Sequence, residues 1–368
     1  MNWDSVVLAS QWGVGWWIGA GIRMLPPASM SAERAIAVVI PARNEAHQIA
    51  TLLHSLAQQT CTITELVVVN DNSTDATTDV AHAHGARVVH GTSLPEGWLG
   101  KAWACAQGVA ATTAPVLVFL DADTTLACDA LARVVARVTD DSLVSVQPFH
   151  RAPTFGEGLS AAGNLLAVMG AGVTGLRASN DMRMAFGPCL ALTRATLETL
   201  GGFAAVRGAV PEDLALAQRA RTRGVRIETF AGRSELSFRM YPEGFSTMLR
   251  GFARNLAAGM GATAWPRLFA IVWWMIGLVT ATGALVQAAL PAATVSARGI
   301  ALAWFLAFCA QWFVLTRTVG AFGWLSSWCF PIPLAVFAVA FARSVWLRLR
   351  RAPMRWRDRI VQHSGAAR

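Results

Sequence analysis

The sequence predicts an α/β domain with a mostly parallel sheet, attached to apolar segments long enough to enter a bilayer. Three observations point there. Apolar runs of strand length alternate with helical periodicity between residues 36 and 150, polar residues gather where those runs end, and long uncharged stretches flank the middle. The run "IAVVIPA" (36–42) is continuously apolar, as in a strand buried on both faces. "NEAHQIATLLHSLAQQ" follows with helical spacing, then "TELVVVND" (64–71) as a second strand. "NSTDATTDVAHAHG" is a helix with capping candidates at its start and Gly85 at its end. "ARVVHG" is a third strand, "GKAWACAQGVAAT" a helix, "VLVFLDAD" a fourth strand and "VSVQPFH" (144–150) a fifth. Such alternation predicts ligand binding beyond the carboxyl ends of the strands, where Arg43, Asn44, Glu45, Asp71, Asp121 and Asp123 fall.

Hydrophobic residues make up 54% of the 368 and charged ones only 14%, too apolar for a purely soluble chain. Residues 268–290 carry no charge and can span a core of roughly 30 Å. Residues 299–315 and 324–342 are further candidates. Residues 5–22 lack a basic leading region and read as a retained anchor. Pro331 and Pro333 are expected to interrupt the third segment, so that 324–342 bends back without crossing. The expected organisation is an anchor over 1–23, a catalytic domain over 34–260, membrane segments over 264–345 and a basic cytoplasmic tail over 346–368.

The net charge is +9, and every basic residue except Lys101 is arginine. Seven arginines between 343 and 359 are interleaved with tryptophans, a pattern suited to a helix on an anionic leaflet. No nucleic-acid motif accompanies them, and nucleic acid is not expected as a partner. The six cysteines lack zinc or redox spacing and read as small buried hydrophobes. A dinucleotide site is excluded, because "PARNEA" after the first strand contains no glycine. "DADTT" also fits a dehalogenase-type phosphatase, but that chemistry needs a later lysine and the chain has none.

In order and spacing, "VVIPARNEA", "VVVNDNSTD", "GK" (100–101), "VFLDADT" and "PEDLALAQRARTRG" (211–224) resemble the family-2 glycosyltransferases of GT-A fold, over about residues 34–260. "SVQPFHR", "MAFGPCLALTRATLETLGGF" and "FRMYPEGFSTMLRGFARNLAAGMGA" look more like the branch that glucosylates carotenoid acids, the 4,4'-diaponeurosporenoate glycosyltransferases. The resemblance implies a hexosyltransferase with UDP-glucose as donor and a membrane lipid as acceptor, its catalytic domain on the cytoplasmic side. It implies a divalent cation, Mg²⁺ or Mn²⁺, held by Asp123 with Asp121, the latter also on the ribose side. Ala42 would contact the donor, Glu45 and Asp71 its nucleoside, Lys101 and Arg254 the phosphates, and Asp213 would act as general base.

Other readings of these residues stand beside it. One of the strand-end aspartates can be a helix cap for "TTLACDALARVVARV", and Asp75 can be a cap too. Glu212 and Asp213 sit where acids favour a helix dipole. The family's Q/R-x-x-R-W appears only as "GFARN" (251–255), which argues against a processive polysaccharide synthase. Residues 158–176 lie between the metal acids and the base, so they cannot span and must form a buried or interfacial helix. Other acceptors within the class are a polyprenyl phosphate, a hopanoid or a diacylglycerol. From another class, the alternative is a membrane scaffold with an inactive domain.

Overall fold

The structure is a computed structural model that describes residues 3–28, 34–176, 182–350, 354–356 and 359–361; the side chains of Arg254 and of residues beyond 350 lie outside the description. The chain divides into two compact units. One comprises 24–149 and 181–240 with the C-terminal residues from 347, and holds the sheet. The other comprises 1–23, 150–180 and 241–346, and begins with helix α1 (Trp3–Gly19).

In the sheet unit the order of events along the chain is strand β1 (Ile36–Ala42), helix α2 (Ala46–Ala57), β2 (Glu65–Asn70), α3 (Thr77–Ala83), β3 (Arg87–His90), α4 (Gly100–Ala110) and β4 (Val116–Leu120). Then come β5 (Thr124–Leu126), α5 (Ala130–Val135), β6 (Ser142–Gln147) and β7 (Phe149–Arg151), which leads out of the unit. The chain returns with β8 (Cys189–Thr193), α8 (Arg194–Thr199), α9 (Glu212–Thr222), β9 (Arg226–Ala231) and β10 (Leu236–Phe238), the last paired with β5. The seven-stranded sheet has the order β3-β2-β1-β4-β8-β6-β9. All neighbours are parallel except β8, which runs antiparallel to both β4 and β6.

The apolar runs are continuous because successive side chains feed opposite faces and both faces are covered. Val38, Ile40 and Val118 pack with Ile49, Leu52 and Leu56 of α2 on one side. Val39, Leu117 and Phe119 pack with Ala102 and Cys105 of α4 and Leu216 of α9 on the other. Each of these side chains contributes on the order of 1.5–3 kcal/mol on burial when it is a full-sized aliphatic or aromatic group.

The helical unit contains α6 (Phe155–Gly158), α7 (Ala161–Ala171), α10 (Phe245–Ala262), α11 (Trp265–Ala288), α12 (Val295–Val319), strand β11 (Gly320–Ala321), α13 (Trp324–Trp328) and α14 (Pro331–Leu349). α11, α12 and α14 are long and apolar enough to cross a membrane. α1 is only 17 residues long and packs Gly15 against Trp274 of α11. Gln311 of α12 joins three helices: its Oε1 accepts from Trp274 Nε1 at 2.8 Å, and its Nε2 donates to Trp12 O at 2.7 Å. A polar group in such a place stays only when its bonds are made.

The third apolar segment is interrupted as expected: α13 ends at Trp328, and Pro331 and Pro333 open α14, where a missing N–H costs nothing. Two expectations are corrected here. The arginine-rich end is not one helix, because β12 (Met354–Trp356) and β13 (Arg359–Val361) form an antiparallel pair after α14, beyond Pro353. Cys128 is exposed rather than buried, while Cys105, Cys189 and Cys309 follow the expected pattern. Of the two readings for 158–176, the buried one holds within this unit: every residue of α7 except Ala167 is buried. Arg267 Nη1 donates to the carbonyls of Met169 and Thr174 and closes its C-terminal end.

Candidate active site

The antiparallel course of β8 decides which residues meet. It starts where β4 ends, so Asp121 N–H donates to Pro188 O at 3.0 Å, and Gly187 comes level with the carboxylates after β4. Asp121 O in turn accepts from the N–H and Oγ1 of Thr124, which closes a tight turn around Asp123. The cap reading for these aspartates is ruled out, because β5 follows them and α5 starts only at Ala130.

Lys101, the second residue of α4, reaches Asp121 Oδ1 at 2.7 Å and Glu212 Oε1 at 3.1 Å. One ammonium thereby joins the acid after β4 to the acid that opens α9. Burial works against its charge, but Asp121 and then Glu212 hold its pKa well above the usual lysine value. Asp213 Oδ2 accepts the Gly187 N–H at 2.6 Å, and Oδ1 accepts that of Leu214 at 2.8 Å. Burial and the neighbouring Glu212 push the Asp213 carboxyl up to about 7, against a smaller opposing pull from Lys101. That is where a general acid or base works best near neutrality.

Asp123 differs from both. Its Oδ1 is inaccessible yet has no hydrogen-bond partner. Burial, Asp121 and Glu45 drive its pKa well above the usual carboxylate range. A buried acid oxygen with no donor and two acidic neighbours fits a cation. Among the described residues no group of three or more His, Cys, Asp or Glu forms a metal cage. A hard ion such as Mg²⁺ takes one or two carboxylates and fills its other positions from phosphate and water.

The remaining expected residues line the ends of β1 and β2. Ala42 O accepts the N–H of buried Asp71 at 2.8 Å, and Arg43 Nη1 donates to Asp71 O at 3.2 Å. Asn44 and Asn72 hold positive φ of 54° and 53°, a backbone state that asparagine tolerates. Glu45 precedes α2 and donates its N–H to Thr77 Oγ1 at 2.9 Å. Asp75 is structural: it accepts from Ala46 N–H and from both the N–H and hydroxyl of Thr77, clasping the starts of α2 and α3. The side chain of Arg254 lies outside the described residues.

Two residues were not assigned a role from the sequence. Glu212, explained there by the helix dipole, anchors Lys101. Gly187 supplies the N–H that orients Asp213, and its lack of a side chain is required. A Cβ there would lie 2.9 Å from Lys101 Nζ and 3.2 Å from Asp213 Oδ2. The glycine inside "MAFGPC" was the available signal. Gly187→Ala is expected to lower kcat about tenfold by displacing both groups, with little change in Tm. Unchanged kcat would show that the close approach is idle.

Residues 37–192 match the model of the family described as Glycosyl transferase family 2. The chain is 33% identical over 332 residues to the 4,4'-diaponeurosporenoate glycosyltransferase of Staphylococcus aureus (strain USA300), covering 89% of this chain and 88% of that one. The equivalent protein of strain MRSA252 matches to the same extent. Among solved structures, a mannosyltransferase from Pyrobaculum calidifontis, in complex with GDP-Man and Mn²⁺, superposes with a TM-score of 0.57 at 21% identity, covering 93% of this chain and 95% of that one. The fold of the sheet unit is therefore that of a GT-A-like transferase. The chain belongs to glycosyl transferase family 2 and is a glycosyltransferase.

Proposed function

We propose that the protein transfers glucose from UDP-glucose to the carboxylate of a carotenoid acid dissolved in the membrane, by single displacement with inversion. The observation that carries this reading is the 33% identity with a 4,4'-diaponeurosporenoate glycosyltransferase, which extends over 332 residues and so well beyond the sheet unit. Asp71 and Glu45 accept from uracil and ribose donors. Asp123, with Asp121, holds a divalent cation, Mg²⁺ or Mn²⁺; the unpartnered Asp123 Oδ1 supports this. When bound, the cation neutralises charge that develops on the departing nucleoside diphosphate. Lys101 keeps Asp121 oriented and adds positive charge beside the phosphates, with Arg254 as a further phosphate contact.

Asp213 faces the acceptor. An alcohol keeps its proton at neutral pH and needs a base, whereas a carboxylic acid with a pKa near 4–5 arrives ionised. Held by Gly187 and Leu214, Asp213 then serves to position the nucleophile. The nucleotide-sugar domain, residues 34–260, faces the cytoplasm, where such donors are made, with residues 1–23 as a further anchor.

The products distinguish the acceptors. Membranes given labelled UDP-glucose and a polyene acid should yield a lipid heavier by one hexose, joined as an ester that mild base cleaves. A base-stable glycoside, or label found only in a phosphate-linked lipid, would replace the carotenoid acid with an alcohol or a polyprenyl phosphate.

A further inference from the structure

We infer that α13 and α14 form a re-entrant hairpin that enters the bilayer and leaves on the side it came from, although α14 alone is long enough to cross. The argument stays within the helical unit. α11 and α12 are joined by residues 289–294 and cross as an antiparallel pair, so α12 ends on the side from which α11 starts. There β11 pairs with His150–Arg151, and Ala152 N–H donates to Ala321 O at 3.0 Å.

From that side the chain descends. Trp312 Nε1 donates to Ser326 O at 3.0 Å, and Trp312 lies seven residues before the end of α12, about 10 Å in. Phe330 is fully buried, with its ring 6.3 Å from that of Trp312 and 5.3 Å from that of Phe305. Phe305 is fourteen residues before the end of α12, about 21 Å in, so Phe330 sits near mid-depth in a core of roughly 30 Å. Its irregular backbone is tolerable at that depth because protein, not lipid, surrounds it.

α14 then climbs back. Val336 and Ala340 join Leu159, Met248 and Phe252 in one apolar cluster, and Ser344 Oγ accepts the Ala257 N–H at 3.1 Å. Ala257 belongs to α10, which carries Arg250 and Arg254 and leads within three residues into the start of α11. α10 is thus at the entry side, and so is Ser344. Had α14 crossed, Ser344 would lie a full bilayer away from Ala257.

The partner of this hairpin is the lipid of one leaflet. Trp324 and Val339 are exposed apolar groups facing acyl chains, and Arg343 and Arg348 come to rest at the same surface, suited to anionic headgroups. The end of α14 is then on the side from which α11 starts.

The test uses the full chain in sealed membrane vesicles, with one protease-cleavable tag after Arg368 and another in the exposed turn near Glu96. Both tags should be cut from the same face and both protected from the other. Cleavage from opposite faces overturns the hairpin. The combined variant Arg343→Gln, Arg348→Gln and Arg350→Gln should give the same pattern, because packing rather than charge returns the chain. A tag that changes face in that variant overturns the packing argument.

Discussion

Asp123→Ala is expected to remove divalent-dependent donor binding and to lower turnover at least about a thousandfold, or about 4 kcal/mol. The fold should survive, because Oδ1 has no hydrogen-bond partner to lose and the substitution removes a buried, unpartnered polar atom. Asp121→Ala should cost less turnover, although it removes one of the two carboxylates that pair with Lys101 and leaves Glu212. The measurements are UDP titration with and without chelator, steady-state rates and thermal unfolding. Full activity of Asp123→Ala in the presence of a chelator would remove the cation from the site.

The second large effect is a reversal of pH dependence between acceptors. Asp213 is raised to about 7 by burial and by Glu212, so it is mostly neutral below that pH and charged above it. An alcohol acceptor needs the charged form as base, and kcat/KM should rise as pH passes through about 7. A carboxylate acceptor is repelled by the charged form, and kcat/KM should fall over the same interval. The substitution Asp213→Asn should cost an alcohol about 10² to 10⁴ in rate. It should cost an acid only about tenfold, through lost positioning, and should flatten the falling limb. Matched acid and alcohol forms of one polyene make the comparison. Equal large losses and the same rising profile for both would return Asp213 to an ordinary base and defeat the carboxylate acceptor.

What the sequence made legible was set by local physics. The strands β1, β2 and β4 were readable because both faces are buried and the runs are therefore apolar throughout. The acids at their ends stood out because an apolar run seldom stops in two carboxylates. The reversal of β8 was not readable: "CLALT" is equally apolar in either direction, and strand polarity depends on partners distant in sequence. For that reason the role of Gly187 was missed, since it depends on β8 beginning beside Asp121. Glu212 was misjudged because a helix-dipole reading is local, while its bond to Lys101 spans more than a hundred residues. The break before Pro331 was readable too: a proline is unwelcome in a helix interior but at home in its first turn, so the apolar segment parts just ahead of it.

The central position of β8 also bears on how the chain is made. β3, β2, β1 and β4 are consecutive in space and complete by residue 120, but β4 receives its second neighbour only when Cys189–Thr193 has been synthesised. At about 5–20 residues per second, the growing chain carries a bare, wholly apolar strand edge, Val116–Leu120, for several seconds. Such an edge is a template for pairing with another nascent chain. Chains released between residues 121 and 188 should therefore aggregate more than longer ones in which β8 has covered that edge, which makes the strand that brings Gly187 beside Asp121 also the guard of the unfinished protein.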